Sequence, residues 1–323
     1  MASKKIIVLG AGVSGLTTAV LLLEEGFEVK IVAEYFPNDV EFEFYAKYDK
    51  QTFFYFRKLS EQQQETGIMK VDYFQYYEDK NDYNPLWYKK GIFDSDEAKG
   101  LELKFRHVEK EDLSENFGFA FTHPSVTINP NQYLKYLFEK FKSMGGTCEQ
   151  KRIFKLEELF EKNAVAIVNC SGLGSAFLTD AKDPDVYPIR GQIVIAKSSP
   201  HTKESLPVSF SVIRKGNKKD TYCIPRNDGT VVLGGTYDEF AIKEFENLSS
   251  AVPNDETAEK IIERCITTRP DLFLPKEELE KKSSVGFRPA RKDGVRVEIE
   301  LMKFGEEQVR ICHNYGHGGG GKY

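Results

Sequence analysis

The sequence predicts an α/β protein in which a parallel sheet with packed helices is interrupted by antiparallel strands. Residues 4–9 are predicted to be a strand, because they end in the continuous, mostly β-branched apolar run 6–9, which is typical of a strand buried on both faces of a parallel sheet. Apolar residues then recur at helical spacing up to Gly26, and residues 27–33 are predicted to be a second strand, so the opening reads strand, helix, strand. From 191 to 236 the pattern changes to strand, turn, strand, with Asn227-Asp228-Gly229 as a hairpin turn.

The other elements follow from local signals. Residues 45–115 are polar and rich in aromatic side chains, which we interpret as short strands and loops of a second domain. Asn129 followed by Pro130 predicts a helix with an asparagine cap, and this helix is expected to end at Gly145. The sequence also predicts a buried strand over 164–170, a helix over 256–267 and strands over 285–312.

Composition excludes several functional classes. At 323 residues, with 40% hydrophobic and 29% charged residues, the chain can bury a large core and is not a disordered protein. A net charge of −5 gives no general attraction to nucleic acid or anionic membranes, so we expect neither as a partner. Five scattered cysteines without a CxxC motif predict reduced thiols in an intracellular protein. Five histidines without metal-ligand spacing predict that there is no metal site.

A dinucleotide-binding fingerprint follows the first strand. It consists of Gly10, Ala11, Gly12, Val13, Ser14 and Gly15. Its three glycines stand where the strand turns, where the backbone approaches a pyrophosphate, and where the helix packs closely on the strand. The helix N-terminus offers N–H groups to the phosphates, and Glu34 at the end of the second strand can accept hydrogen bonds from ribose hydroxyls. This order predicts a bound dinucleotide without separating NAD from FAD.

Two motifs near the C-terminus carry further chemistry. The run 285–291 reads Val-Gly-Phe-Arg-Pro-Ala-Arg and holds Arg288 in a Gly/Pro frame, where an arginine can present a planar fork of N–H donors to a carboxylate. The run 313–319 reads His-Asn-Tyr-Gly-His-Gly-Gly, and glycines there let backbone N–H groups approach a flat or anionic cofactor. A flavin that reaches across the domain needs such a second glycine cluster, so this motif favours FAD over NAD.

Taken in order, these motifs resemble the D-amino acid oxidase and D-aspartate oxidase family of FAD-dependent enzymes along nearly the whole chain. The matching segments are 8–16, 168–174, 187–192, 222–226, 232–236 and the two C-terminal runs. The resemblance implies an α/β fold: a Rossmann-like FAD-binding domain with an inserted α+β substrate domain built on an antiparallel sheet. We expect the FAD-binding domain to comprise 1–45, 125–190 and 284–323, and the substrate-binding domain 46–124 and 191–283.

The family oxidises D-amino acids to 2-oxo acids, ammonia and hydrogen peroxide, so a D-amino acid and molecular oxygen are the implied partners. Arg288 matches the arginine that grips the substrate α-carboxylate, and Tyr222 matches the tyrosine that hydrogen-bonds the same group. The segments that match regions beside the flavin contain Ser171, Gly172, Arg190, Gly191, Gln192, Gly316, His317, Gly318, Gly319, Gly320 and Gly321. Hydride transfer from the substrate Cα to flavin N5 requires positioning and no protein base, which agrees with the lack of an obvious general base.

The substrate class stays open at this point. Arg214 precedes Tyr222 much as a side-chain-binding arginine does in the D-aspartate oxidases, which favours acidic substrates. Tyr237, however, stands where those enzymes often have a second basic residue. A nicotinamide-dependent reductase and a flavin-binding protein with impaired catalysis are the functional classes that compete with an oxidase.

The chain departs from the family pattern in two places. Between Glu41 and Tyr48 the family has a further Ser/Trp/Gly-rich stretch that covers FAD, and past the position of Tyr323 it continues into a helix and often a peroxisomal tripeptide. We expect the natural protein to contain both segments, because losing them while keeping the substrate-binding residues makes little physical sense. If both deletions are real, FAD affinity and activity are reduced. The resemblance also implies a peroxisomal location, and a homodimer is one assembly that it allows.

Overall fold

The computed structural model describes residues 4–37, 50–82, 89–197, 207–213, 221–242 and 252–318. In chain order the described strands are β1 (Lys5–Leu9), β2 (Glu28–Ala33), β3 (Ile68–Tyr77), β4 (Arg106–His107), β5 (Phe119–Ile128), β6 (Thr147–Gln150), β7 (Ala164–Asn169), β8 (Val186–Lys197), β9 (Val208–Ile213), β10 (Thr221–Pro225), β11 (Thr230–Gly234), β12 (Asp238–Glu239), β13 (Lys281–Arg291), β14 (Arg296–Phe304) and β15 (Glu307–Tyr315). The described α-helices are α1 (Val13–Glu24), α2 (Lys50–Leu59), α3 (Gln63–Thr66), α4 (Asp96–Gly100), α5 (Pro130–Ser143) and α6 (Asp255–Thr268). None of the helices in these ranges is long and apolar enough to cross a membrane.

The smaller sheet is the parallel unit that the sequence predicts. Its strand order is β14-β15-β7-β1-β2-β6, and β1 pairs in parallel with both β2 and β7. Helices α1 and α5 pack on this sheet, and the predicted apolar stripe of α5 (Leu134, Leu137, Phe138 and Phe141) is buried there. The predicted strand, helix, strand opening and the strand at 164–170 are therefore confirmed. Because parallel strands share one direction, the carboxyl ends of β1, β2 and β7 meet at one edge of the sheet.

The larger sheet is antiparallel apart from one parallel pair, β3 with β9. The predicted hairpin is present, with Tyr222 opposite Gly234 and Pro225 opposite Val231. Side chains on one face, among them Cys223 and Leu233, are buried against helix α6. Because side chains alternate along a strand, Tyr222 lies on the face that α6 does not cover. Strand β13 pairs along its whole length with β8.

The largest difference from expectation concerns residues 50–77. Helices α2 and α3 and the ten-residue strand β3 occupy this region, so the expectation of short strands and loops was wrong here. The buried aromatic residues of α2, Phe53 and Phe56, follow helical spacing. Aromatic residues favour strands in general, and their burial against neighbouring elements overrides that preference.

The start of α5 is predicted correctly, but for a partly wrong reason. Asn129 occupies the N-cap position and Pro130 is the first helical residue, yet no side chain caps the helix. The Asn129 Nδ2 donates instead to Asp228 Oδ2 at 2.9 Å, which links the helix to the turn between β10 and β11. A tertiary contact therefore uses the amide that a local cap would have used. The helix ends at Ser143, and its C-cap residue Met144 is followed by Gly145 with a φ of +88°.

The division into two domains stays a proposal. Strands β5, β8 and β13 each run continuously across a predicted boundary, at 124/125, 190/191 and 283/284 respectively. All three strands belong to the larger sheet, whereas β14 and β15 belong to the smaller one. We therefore propose that the domain boundaries lie at the ends of these strands, near 129, 186 and 292.

Candidate active site

The fingerprint glycines fall into two kinds. A Cβ on Gly15 would lie 1.9 Å from the carbonyl oxygen of Gly10, and a Cβ on Gly10 would lie 2.6 Å from that of Cys170, so the protein itself requires both glycines. Gly10 also has a φ of +103°, which other residues rarely adopt. Around Gly12, in contrast, no atom of the described residues lies within 4 Å of an added Cβ. The described part of the fold therefore leaves open space beside Gly12.

That open space adjoins the N-terminus of α1. The N-cap residue is Gly12, which has no side chain that could cap the helix, and the first turn contains no acidic residue. The first N–H groups of a helix need partners and attract anions. Uncapped N–H groups beside an open space fit the pyrophosphate of a dinucleotide, so the residues present fit FAD at this end.

Glu34 lies at the carboxyl end of β2, next to the fingerprint. The strand end is held against the fingerprint by Gly10, whose N–H donates to the Val32 carbonyl at 2.9 Å. The Glu34 side chain is exposed, and it forms an ion pair at 3.7 Å with Arg152, whose side chain is 67% exposed. The Glu34 carboxylate raises the pKa of the neighbouring Tyr35 by hydrogen bonding. An accessible carboxylate here can accept hydrogen bonds from a ribose.

The turn after β7 contains Ser171 and Gly172. Both the N–H and the hydroxyl of Ser171 donate to Asn169 Oδ1, at 3.1 and 2.6 Å. Gly172 has a φ of +58°, and a Cβ there would lie 3.6 Å from the Pro289 side chain. The turn therefore packs against Pro289 of β13, the residue that follows Arg288.

The C-terminal glycine turn reaches the same part of β13. The Gly318 N–H donates to the Pro289 carbonyl at 2.7 Å, and His317 forms a bridge with Ala290. Burial lowers the pKa of His317, so its imidazole is neutral at neutral pH. Gly316, with a φ of +86°, begins this turn. The other predicted members, Gly319, Gly320 and Gly321, lie outside the described residues.

Arg190 and Gln192 make contacts on the α6 side of β8. The Gln192 amide donates to the Asn254 carbonyl at 2.7 Å and accepts from the Asn254 N–H at 2.9 Å. Arg190 donates to the Val252 carbonyl at 3.1 Å and lies 3.6 Å from Asp238. These two side chains contact the segment at the start of α6, so only the backbone of Arg190 and Gln192 could lie beside the flavin. That position beside the flavin remains a prediction.

Gly191, between them, faces the opposite side of the sheet. A Cβ on Gly191 would lie 2.6 to 2.8 Å from three atoms of the Arg288 guanidinium. The guanidinium of Arg288, on β13, therefore lies flat over Gly191 on the neighbouring strand β8. Glycine at 191 is required by this close approach.

Arg288 is half-buried and carries an uncompensated charge within the described structure. Its Nη1 donates to the Thr236 carbonyl at 3.3 Å, and its Cζ lies 6.0 Å from the centre of the Tyr237 ring. Among the described residues, no carboxylate forms an ion pair with it. A partly desolvated guanidinium strongly favours an anionic partner, and a carboxylate matches its two parallel donors.

Tyr222 lies beside Arg288 in one cleft. The Tyr222 ring is 9% exposed and crosses Gly234, where a Cβ would lie only 1.9 Å from its Cζ. The other residues that line the cleft are mostly apolar: Ile128, Pro130, Gly191, Ile193, Ile224, Arg226, Val232 and Gly286. The cleft thus combines apolar walls with a phenol and two guanidinium groups. The cleft can bind the carboxylate of a small molecule and exclude water from the rest of that molecule.

Sequence reasoning missed Arg226, the second guanidinium of the cleft. It is 8% exposed and ends the same short motif as Tyr222, so the position of that motif could have found it. Arg214, which the sequence proposed for a similar role, lies outside the described residues. So do the departures from the family pattern at 41–48 and at Tyr323.

Known proteins resemble this chain along nearly its whole length. A family model described as FAD dependent oxidoreductase matches residues 43–322. The D-amino-acid oxidase of Schizosaccharomyces pombe is 30% identical, over 98% of this chain and 92% of that protein. The D-amino-acid oxidase of Rubrobacter xylanophilus is 31% identical, over 98% and 91% respectively.

Solved structures share the fold. Glycine oxidase from Geobacillus kaustophilus matches with a TM-score of 0.68 at 16% identity, over 99% of this chain and 91% of that one. Iminodiacetate oxidase from Chelativorans sp. BNC1 matches with a TM-score of 0.67 at 16% identity, over 97% and 90%. These matches confirm the predicted fold class.

Proposed function

We infer that this chain, which belongs to the FAD-dependent oxidoreductase family and is related along nearly its whole length to D-amino-acid oxidases, oxidises D-amino acids. The products are the 2-oxo acid, ammonia and hydrogen peroxide. FAD is the cofactor, and molecular oxygen is the second substrate. The nicotinamide-dependent reductase is not favoured.

The observation that carries this proposal is the state of Arg288. A half-buried guanidinium that has no ion-pair partner among the described residues stands beside a buried tyrosine in a largely apolar cleft. The same strand continues directly into Pro289, which the C-terminal glycine turn contacts. A carboxylate held by Arg288 is therefore close to the residues that match the flavin-binding segments.

The protein contributes mainly position. Arg288 would bind the two carboxylate oxygens, and the Tyr222 hydroxyl would donate a further hydrogen bond, so that the substrate cannot rotate. The apolar walls formed by Ile193, Ile224 and Val232 exclude water and strengthen both interactions. Bound FAD supplies the acceptor for the hydride that leaves the substrate Cα. In this arrangement no side chain has to remove a proton from carbon.

The uptake of oxygen tests the proposal. The purified protein should show the visible absorption of bound flavin, and oxygen uptake with D-alanine should match the release of peroxide and ammonia. L-Alanine should give little or no uptake, because the carboxylate contacts and the cofactor fix which face of the Cα is presented. Equal rates with both enantiomers, or no turnover of any D-amino acid by protein that is saturated with FAD, would contradict it.

A preference for acidic D-amino acids is the second candidate. It is favoured by the presence of Arg226 in the cleft, where a second cation could bind a side-chain carboxylate, and by Arg214 in the sequence. Arg226→Leu and Arg214→Leu should each be assayed on D-aspartate and D-alanine in parallel. A loss confined to D-aspartate identifies the residue that selects acidic substrates. Equal effects on both substrates assign neither residue to that role.

We further propose that the enzyme is intracellular and peroxisomal, as the family resemblance implies, and that it forms a homodimer, which the resemblance allows. Co-localisation of the tagged full-length protein with a peroxisomal marker tests the location. Light scattering of the purified holoenzyme tests the assembly. A cytosolic signal or a monomeric mass would overturn the respective part.

A further inference from the structure

A buried carboxylate with no part in the reaction described above, Asp183, lies at the junction of the two sheets. Its side chain is 3% exposed. Its Oδ2 accepts a hydrogen bond from Arg291 Nε at 2.9 Å and another from the Tyr315 hydroxyl at 2.8 Å. Arg291 is the last residue of β13 in the larger sheet, and Tyr315 is the last residue of β15 in the smaller sheet. One oxygen atom therefore links the ends of two strands from different sheets.

Further charges surround this carboxylate. Arg296 Nη1 donates to the Tyr315 hydroxyl at 2.9 Å and lies 4.0 Å from Asp183 Oδ2. Burial by itself would raise the pKa of Asp183, but the hydrogen bonds from Arg291 and Tyr315 outweigh burial and hold the pKa below its ordinary value. The carboxylate is consequently ionised at neutral pH, and its bonds are charge-assisted and directional.

Both strand ends lead directly into the candidate site. Arg291 follows Arg288 by three residues on β13, and Tyr315 immediately precedes Gly316. A Cβ on Gly316 would lie 2.9 Å from the Arg291 Cβ, so the glycine turn and the end of β13 are in close contact. Any movement of one strand end relative to the other would change the spacing between Arg288 and the glycine turn.

We propose that Asp183 is a positioning residue, which sets the spacing between the substrate-binding Arg288 and the glycine turn at 316–318 by tying Arg291 to Tyr315. This inference rests on the proposed function, in which the glycine turn lies near the flavin ring and Arg288 holds the substrate. Rates of such reactions depend steeply on alignment, and a misplacement of about 1 Å can cost a hundred-fold in rate.

Two variants and a matched control test this role. Asp183→Asn keeps the shape of the side chain and removes its charge, and Tyr315→Phe removes only the hydroxyl. Glu161→Gln is the control, because Glu161 is also a carboxylate shared by two cations, Lys5 at 2.6 Å and Lys30 at 3.2 Å. It lies near the amino end of β1, at the edge of the sheet opposite the fingerprint.

For each holoenzyme, kcat and KM for D-alanine, the visible flavin spectrum, FAD affinity and thermal unfolding should be measured. We expect kcat/KM to fall about tenfold or more for Asp183→Asn and less for Tyr315→Phe, with a shifted flavin spectrum in both. Glu161→Gln should keep the wild-type kinetics and spectrum even if its unfolding temperature falls.

Wild-type kinetics and an unchanged spectrum in both Asp183→Asn and Tyr315→Phe would overturn the proposal, whatever their unfolding temperatures. Equal kinetic losses in Glu161→Gln would overturn it as well. If Asp183→Asn does not fold, Tyr315→Phe decides the question alone. A wild-type protein that binds FAD but oxidises no D-amino acid would refute the proposed function instead, and the flavin spectra of the variants would still test the role of Asp183.

Discussion

The phosphate end of the site and the substrate cleft are built in different ways. Residues 10–15, the proposed phosphate end, are one contiguous segment, and the described residues leave open space beside Gly12. The cleft instead takes Arg288 from β13, Gly191 from β8 and Tyr222 from β10, strands that are far apart in sequence and meet in one sheet, where β13 pairs with β8 and β11 lies between β8 and β10. The first region depends on small residues and backbone groups, and the second on side chains held in register. Mutations should therefore affect cofactor binding in one region and substrate handling in the other.

The largest effect should come from Arg288→Ala. Removing one side of a desolvated arginine–carboxylate pair costs about 3–5 kcal/mol, which is roughly a hundred-fold to several thousand-fold in kcat/KM. Arg288→Lys should recover little activity, because an ammonium group does not reproduce the planar fork. Steady-state kinetics with D-alanine measure the effect, and the flavin spectrum is the control. Near-normal efficiency with full flavin would show that another residue holds the carboxylate.

Gly12→Val should weaken FAD binding without destabilising the fold. In the described part of the chain no atom lies within 4 Å of the added Cβ, and the φ of −76° suits any residue, so thermal unfolding of the apoprotein should not change. The side chain would crowd the pyrophosphate at a cost of about 1–3 kcal/mol, or roughly five- to a hundred-fold in FAD affinity.

Gly15→Ala is the contrasting variant for that experiment. Its Cβ would overlap the Gly10 carbonyl oxygen, so the apoprotein itself should be destabilised. Fluorescence titration with FAD and unfolding of the apoproteins separate the two outcomes. If Gly12→Val binds FAD normally, the pyrophosphate lies elsewhere.

The stability of the protein should fall in acid, in part because of His123 in the larger sheet. Burial among aromatic rings lowers the pKa of His123 from 6.5 to about 4. The unfolded chain then binds a proton more readily than the folded one. The resulting stability is fully present above pH 6.5 and is lost as the pH falls towards 4, by up to about 3 kcal/mol.

His123→Phe retains an aromatic ring beside Phe93 and Phe121, whose ring centres lie 4.5 and 6.0 Å from that of His123. Denaturant unfolding of both proteins between pH 4 and pH 7.5 should show a stability difference that shifts in favour of the variant as the pH falls. The exposed His107 provides the control substitution, His107→Gln. A pH-independent difference between wild type and His123→Phe would mean that folding does not change the pKa of His123.

The smallest effect should come from Tyr222→Phe, which sharpens the comparison within the cleft. The ring remains packed over Gly234, and only one hydrogen bond to the substrate carboxylate is lost. Such a bond contributes about 1 kcal/mol, so kcat/KM should fall roughly fivefold. A loss as large as that of Arg288→Ala would show that the hydroxyl has a further role in the reaction.

The contiguous parts of this protein could be predicted from the sequence. Strand β1, helix α1, strand β2 and the hairpin of β10 and β11 each follow from a local pattern of apolar residues and turn residues. The helices at 50–66 could not be predicted, because their aromatic residues fit strands locally and only burial against other elements selects the helix. The fingerprint also predicts a separate role for each glycine, and the structure adds that the protein's own packing requires Gly10 and Gly15, whereas the described residues leave the space beside Gly12 open.

The sequence by itself determined the α/β fold class, the dinucleotide-binding fingerprint and the motifs that contain Arg288 and Tyr222. It did so because a buried strand, a helix and a glycine turn are each specified by residues close together in the chain. Only the tertiary structure brought Arg288 over Gly191 and beside Tyr222, turned Arg190 and Gln192 towards α6, and placed Arg226 in the cleft. Those relations depend on strand register and on which face of the sheet α6 covers, and contacts between distant residues decide both.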